Sequence, residues 1–473
     1  MKLKPLIWAC LGGSMLFLIA ACSQKTLHQA EINRHLYSGD VKGAYAIMNK
    51  NPEKWERGKN TLLYYLERGT LAWMLGEHQE SKDYFMMSDY FIEDYYRNYA
   101  NEALALFTND KVKEYRGENH ERILFHYYQM LNFMDMGENE NALVQARRLN
   151  LELNRLKDRH KNNTKRYSRD AFAYVMIGLC FEANGDAENA FVAYRNAERI
   201  YSEDYLTNFK MDPPSQLISD LLRLAYQMGY NADLDHFQKK YKRQYNPQTD
   251  RGGNFVFFWN TGLVSIKEEN RFEFVIQSVN GDGWVTFYNS DLGLSIPVYI
   301  SGSNDPNSGF NDLRFIAASL PRMVGRGSLF TSATIELDSN AKQIAMSLAE
   351  PVSAIANKEL NDRFLEEVGK MLARVTAKKM AEMAARKESE GAGTIIGLLN
   401  FFTERADTRS WETLPDQIFY TRQPLSPGQH QVKLNAAGPQ ANQQFTIPVN
   451  MPKYGYFFEG FHTLQPATTG LTR

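Results

Sequence analysis

The chain is poor in the residues that cross-link proteins or mark a nucleic-acid partner. Its 473 residues contain only three cysteines, Cys10, Cys22 and Cys180. Cys10 and Cys22 fall in or next to an N-terminal leader, so no intramolecular disulfide is expected, and Cys180 in its apolar context is expected to be a buried small hydrophobe. The formal net charge is −1. Because a phosphate-binding surface normally shows a basic excess, we predict no nucleic-acid partner.

The short motifs of common catalytic and cofactor sites are missing as well. We find no phosphate-binding glycine loop, no nucleophile elbow, no pair of zinc ligands and no Cys-x-x-Cys pair. We therefore predict no catalytic residues, no metal site, no cofactor and no enzymatic activity.

The most specific motif lies at the N-terminus. Two lysines precede an apolar run that ends in Ile19-Ala20-Ala21-Cys22, which matches the bacterial lipobox. Residues 1–21 are predicted to be a lipoprotein signal peptide, and Cys22 the lipidated first residue of the mature chain. Ser23 stands where an aspartate would often mark inner-membrane retention. The resemblance to Gram-negative lipoproteins therefore implies the outer membrane, with the lipid-anchored protein facing the periplasm.

The first half carries a degenerate repeat in which small residues and a glycine recur at fixed spacing. Small residues let two antiparallel helices approach, and glycine permits the turn between them. The spacing resembles the tetratricopeptide repeat and predicts about five helical pairs between residues 26 and 245, forming an α-solenoid. The copies centre on Gly39, Gly76, Gly137, Gly185 and Gly229.

In a tetratricopeptide array the first helix of each pair lines the concave wall. The candidate partner-binding residues on that wall are Trp73, Tyr127, Met134, Glu182, Arg223 and Tyr226. For any one of them, packing between repeats is an equally good interpretation.

Beyond Asn246-Pro247 and Gly252-Gly253 the helical pattern stops and short alternating or apolar stretches begin. We predict a helical repeat domain at residues 22–245 and a mainly β, sandwich-like C-terminal domain at residues 246–473, an α+β chain overall. A helical insertion at about residues 353–404 should contain one long amphipathic helix and a short buried one at 391–402. The strand candidates are Phe255–Trp259, Arg271–Ser278, Gly283–Tyr288, Leu294–Ile300, Ala333–Leu337, Gln343–Ala349, Gln417–Gln423, Gln429–Leu434, Gln444–Val449 and Gly455–Thr463.

Three local segments resemble a family of uncharacterised bacterial tetratricopeptide-repeat lipoproteins found among envelope lipoproteins. They are Tyr115–Glu118 continuing to Tyr128, Ala142–Leu149, and Ala406–Trp411 followed by Leu414-Pro415. The resemblance implies an envelope-assembly context. It assigns no catalytic residue.

These observations favour an interaction scaffold that is held on the membrane by its lipid and binds envelope proteins. One alternative is a structural subunit of a larger envelope or secretion complex. A second is a cell-wall-acting enzyme that uses carboxylates such as Glu118, Glu121 or Asp407, which would require a pair of carboxylates facing a cleft with a raised pKa.

Overall fold

The computed structural model describes residues 29–50, 52, 58–98, 114–159, 167–247, 253–279, 282–301, 303, 313–337, 343–388 and 406–464. The predicted signal peptide with Cys22, and the predicted short helix at 391–402, lie outside these residues. Within them the N-terminal half is helical and the C-terminal part is built from sheets. Among the described helices, none is both long and apolar enough to cross a bilayer.

The described helices of the first half form successive hairpins. They are α1 (29–37), α2 (Val41–Asn49), α3 (Thr61–Met74), α4 (His78–Asn98), α5 (Asn119–Asp135), α6 (Asn139–Arg159), α7 (Ala171–Ala183), α8 (Ala187–Ile200), α9 (Leu206–Phe209), α10 (Ser215–Gln227) and α11 (Asn231–Tyr241). A short π-helical turn at Tyr201–Tyr205 extends α8.

A glycine lies in the turn of every hairpin for which the sequence predicted one. The five φ angles lie between 70° and 80°, in the left-handed region where a side chain is strained, so glycine is the natural residue there. In the second hairpin, Glu77 N donates to Ala72 O at 3.0 Å and closes the end of α3. The five glycines are Gly39, Gly76, Gly137, Gly185 and Gly229.

Another glycine sets the closest approach of two helices. A Cβ added at Gly178 on α7 would lie 2.3 Å from the ring of Tyr194 on α8. Cys180, two residues further on, is buried as predicted and its Sγ lies 3.5 Å from Met130 Sδ. Burial raises the pKa of the Cys180 thiol.

The second half contains twelve described strands in three four-stranded sheets. The strands are β1 (Gly253–Thr261), β2 (Ile266–Val279), β3 (Trp284–Asn289), β4 (Leu294–Tyr299), β5 (Phe315–Val324), β6 (Ser332–Glu336), β7 (Gln343–Ala345), β8 (Ser347–Glu350), β9 (Gln417–Leu425), β10 (Gly428–Ala437), β11 (Asn442–Met451) and β12 (Tyr456–Thr463). Sheet I has the order β12-β1-β9-β8, sheet II the order β4-β3-β2-β5, and sheet III the order β11-β10-β6-β7.

Sheet I is covered on both faces. In β1, Val256 and Phe258 pack into the helical core, whereas Phe255, Phe257 and Trp259 pack against sheet III. This double burial explains why β1 is a continuous apolar run instead of an alternating one. The layers are therefore helices, sheet I and sheet III, and the last two form one sandwich.

The long helix of the insertion, α12 (Val352–Glu388), covers one face of sheet II. Val368, Met371 and Val375 of its predicted apolar stripe lie in the same core as Phe274 and Phe287. The sequence predicted this helix but missed β5. Within the described residues, sheet II is a third sheet besides the two of the sandwich-like domain that the strand pattern predicted.

Candidate interaction site

Five of the six candidate groove residues are buried against the chain itself. Trp73 and Tyr127 are 1 % exposed, Met134 and Arg223 are 4 % exposed, and Glu182 is 8 % exposed. Only Tyr226, at 50 % exposure, keeps an open side chain among the six. The expectation of an open groove is therefore corrected at five positions, because sheet I lies on that wall of the helices.

The centre of this contact joins α5 to β1. The Tyr127 hydroxyl donates to Asn260 Oδ1 at 2.9 Å, and its ring packs edge-on against Phe258 with 5.9 Å between centroids. On α3, the Trp73 indole lies over the backbone of β12, where a Cβ at Gly460 would come within 2.4 Å of it. Aromatic side chains of the helices thus contact two neighbouring strands of sheet I.

A buried cluster of four charged side chains lies at the other end of the contact between the helices and sheet I. Arg223 forms an ion pair with Glu182 at 2.6 Å, and Arg422 of β9 donates to Asp220 at 2.7 Å. The Tyr456 hydroxyl of β12 also donates to Glu182. Burial alone would raise the pKa of Glu182, but Arg223 and Arg422 lower it. Two carboxylates and two guanidiniums therefore compensate one another inside the protein, which makes their burial tolerable.

A second charged cluster joins the start of α5 to sheet II and α12. Arg363 donates two hydrogen bonds of 2.6 Å to Glu118, and Lys267 donates to the same carboxylate. Burial alone would raise the pKa of Glu118, but these two cations hold it well below its usual range. Next to it, His120 Nδ1 lies 2.7 Å from Glu359 Oε2. Burial alone would lower the pKa of His120, and its hydrogen bond with Glu359 raises it instead.

Two of the segments that carry the family resemblance meet at this cluster although they are almost 300 residues apart in sequence. Trp411 N donates to Glu121 Oε1 at 2.7 Å, and the Arg409 guanidinium lies 5.4 Å from the centroid of the Tyr115 ring. Asp407 forms an ion pair with Arg409 at 2.7 Å. Although burial would raise the pKa of Asp407, Arg409 lowers it. The carboxylates of Glu118 and Asp407 are therefore held ionised in ion pairs, an arrangement that favours a structural role over proton transfer.

A different pair of carboxyl groups has raised pKa values. Asp170 caps α7 by accepting from Ala173 N at 2.6 Å, and the Tyr205 hydroxyl donates to Glu350 Oε2 at 2.9 Å. Burial raises the pKa of Asp170, and burial together with the charge of Asp170 raises that of Glu350. Both groups are fully enclosed. The pair has the electrostatics that the enzyme hypothesis requires, but it does not face a cleft.

A narrow surface pocket lies where α1 meets the loops after β1 and β5. Arg326 lines it, and its Nε donates to Val264 O at 2.7 Å while its Nη2 donates to Glu412 O. Behind it, burial and the nearby Glu412 raise the pKa of Glu67 to about 8. Since the guanidinium connects two chain segments, we regard this pocket as part of the fold.

The face of sheet II that is turned away from α12 carries large apolar side chains in contact with solvent. Val275 is 52 %, Trp284 43 %, Tyr299 56 % and Phe315 60 % exposed. Together with Tyr288 these residues form what we call the aromatic face.

The strand register brings these side chains together. Val275 lies opposite both Tyr288 and Phe315, and Trp284 lies opposite Tyr299. The rings of Trp284 and Tyr299 meet edge to face with 5.9 Å between centroids. The face extends about 13 Å along the strands and about 14 Å across them. The predicted strands included Val275, Trp284, Tyr288 and Tyr299 but not Phe315. Alternation separates such residues from buried neighbours on the same strand, but it does not show which face of the sheet stays exposed.

No family model matches the sequence, and no curated protein matches it. Among solved structures, the crystal structure of MamA protein is similar in part, with 14 % sequence identity and a TM-score of 0.28. The similarity covers 47 % of this chain and 97 % of that chain. At this TM-score the likeness carries no argument about fold or function.

Proposed function

We propose that this protein is a lipid-anchored lipoprotein of the outer membrane, facing the periplasm, that acts as an interaction scaffold in envelope assembly. The lipobox at Ile19–Cys22 supports the anchor. The glycine-turned hairpins of the first half support a tetratricopeptide-type array. The observation that carries the scaffold role is the aromatic face, where four large apolar side chains, three of them aromatic, are 43–60 % exposed on one face of sheet II.

The chemistry of this face suits a protein partner. Tryptophan and tyrosine are enriched in the residues that dominate binding energy at protein interfaces, and they cluster near the interface centre. The face covers about 180 Å² by its dimensions, well below the roughly 800 Å² that each partner of a stable complex buries. The aromatic face would therefore be the energetic centre of a larger contact.

The edges of sheet II argue for docking on the face instead of strand addition. The two edge strands are β4 and β5, and each contains one proline, Pro297 and Pro321. Proline cannot donate a backbone hydrogen bond, and on edge strands it discourages pairing with another chain. A partner is therefore expected to pack flat on the side chains of Trp284, Tyr299 and Phe315.

The test is cross-linking in intact envelopes, followed by recovery of the protein. The face variant carries Trp284→Ala, Tyr299→Ala and Phe315→Ala. The control carries Tyr90→Ala and Tyr454→Ala, two aromatic residues that are 70 % and 78 % exposed elsewhere. We expect the face variant to lose a defined cross-linked partner that the native and control proteins keep, with unchanged circular dichroism.

Two other outcomes are informative. If the face variant keeps every partner, the assignment of the aromatic face is wrong. If the partner that it loses is a second copy of this chain, seen as a defined multimer on sizing, the protein is a structural subunit of a larger envelope complex instead of a scaffold.

A further inference from the structure

Strand β12 packs against the inner wall of the helices as a bound extended peptide would. On one side it pairs in parallel with β1, and it is an edge strand of sheet I, so among the described strands it has no partner on its other side. Alternate positions of β12 face the helices. Tyr456, Phe458 and Gly460 lie on the helical side, and the side chains of Phe457 and Phe461 pack in the core shared with sheet III.

Three helix-facing positions of β12 make specific contacts with the helices. The Tyr456 hydroxyl donates to Glu182 of α7. Phe458 is 3 % exposed within the helical core. At Gly460, a Cβ would lie 2.4 Å from Trp73 Cζ2, so no other residue fits without moving the indole.

The indole that imposes this restriction is itself fixed. Trp73 Nε1 donates to Asp135 Oδ2 at 3.3 Å, and the ring packs edge-on against Tyr128 with 5.3 Å between centroids. The inner wall of the helices therefore fits a strand with the pattern of Tyr456, Phe458 and Gly460. This pattern is an aromatic residue, a second aromatic residue two positions later, and a glycine two positions after that.

The backbone of β12 is also held at both ends. Asn254 N donates to Gly455 O at 3.0 Å, and Gly262 N donates to Thr463 O at 2.9 Å. Strand β1 pairs with β9 along the whole length of β1, on the edge opposite to β12. Removing β12 would therefore leave β1 inside a sheet, with one free edge facing the helical wall.

We propose that the free edge of β1 and the wall around Trp73 and Glu182 form a receptor for extended segments of partner proteins. Strand β12 occupies the receptor in cis, and a partner segment with the pattern aromatic-x-aromatic-x-Gly binds by displacing it. Such recognition by strand addition combines backbone hydrogen bonds with pockets for alternate side chains. This receptor is separate from the aromatic face on sheet II, so either site can fail without the other.

The test uses the full chain with Gly460→Val, in which the new side chain collides with Trp73 and expels the chain's own β12. The probe is a fluorescent synthetic peptide of residues 454–464, in its native sequence and with the same Gly460→Val change. By fluorescence anisotropy we expect the variant chain to bind the native peptide at least about tenfold more tightly than the unmodified chain does. The valine peptide should bind to neither chain.

A second variant separates displacement of β12 from misfolding of the chain. Phe458→Ala weakens β12 in cis without adding a clash, and it should also gain affinity for the native peptide only. Tyr454→Ala, an exposed position in the turn before β12, should bind the peptide no better than the unmodified chain. The proposal is overturned if folded Gly460→Val and Phe458→Ala chains bind neither peptide, or bind both peptides equally.

Discussion

Replacing Glu118 with glutamine removes the carboxylate that neutralises two enclosed cations. The Lys267 side chain is 6 % exposed, and that of Arg363 is 26 % exposed. Removing one partner of a buried ion pair typically costs about 3–5 kcal/mol, because the remaining charge stays desolvated. Since Arg363 retains some contact with solvent, we expect a cost near about 3 kcal/mol, the lower end of that range.

The measurement is urea unfolding of the mature chain without its lipid. The midpoint of Glu118→Gln should fall with an unchanged slope. Glu114→Gln, which removes an exposed carboxylate four residues away, should change stability by less than about 0.5 kcal/mol. If Glu118→Gln costs less than about 1 kcal/mol, the ion pairs do not hold the helical half to sheet II and α12.

The dependence on pH supplies an internal check. The pKa of Glu118 is lower in the folded state than its usual value, so the stability it contributes is present above its unfolded pKa of about 4.3. That contribution is lost as the pH falls through the folded pKa. The difference between native and Glu118→Gln proteins should therefore be constant near neutrality and shrink under acid conditions.

Three further predictions follow from the helices and their contact with sheet I. Gly178→Ala should destabilise by about 1–3 kcal/mol through its collision with Tyr194, whereas Gly369→Ala on α12, where the added Cβ meets open space, should be neutral or stabilising in thermal unfolding. The Cys180 thiol, buried and with a raised pKa, should resist maleimide until the protein unfolds; labelling at the rate of a free thiol under native conditions would contradict its burial. Because burial raises the pKa of Glu350, stability should decline as the pH rises from about 4 toward the folded value, and Glu350→Gln should flatten that decline in urea titrations at several pH values; an unchanged profile would argue against a protonated Glu350.

The local elements were largely predictable from the sequence. The turn glycines follow from the requirement for a left-handed backbone, and the stripe of α12 follows from helical periodicity. Strand β5 was not predicted because it combines Pro321 with small residues such as Ala317 and Ser319. That pattern suits an edge strand but weakens the usual sequence signal of a strand.

The contact between the two halves was not predictable in the same way. Helical periodicity shows that Trp73 and Tyr127 belong to an inner wall, but it contains no information about what covers that wall. The covering residues lie far along the chain: Asn260 is 133 positions after Tyr127, and Gly460 is further still from Trp73. The aromatic face was not predicted for a related reason. Alternation distinguishes the two faces of a strand, but only tertiary packing decides which of them stays exposed.

The inner wall of the helices is covered by the chain's own sheet I. Hydroxyl-radical footprinting of the folded mature chain, with mass spectrometry of each labelled residue, tests it directly. Trp73 and Tyr127, both 1 % exposed, should be protected, while Tyr226 on α10, 50 % exposed, should be modified readily. Labelling of Trp73 and Tyr127 at the rate of Tyr226 would show that the wall is open and would contradict the account.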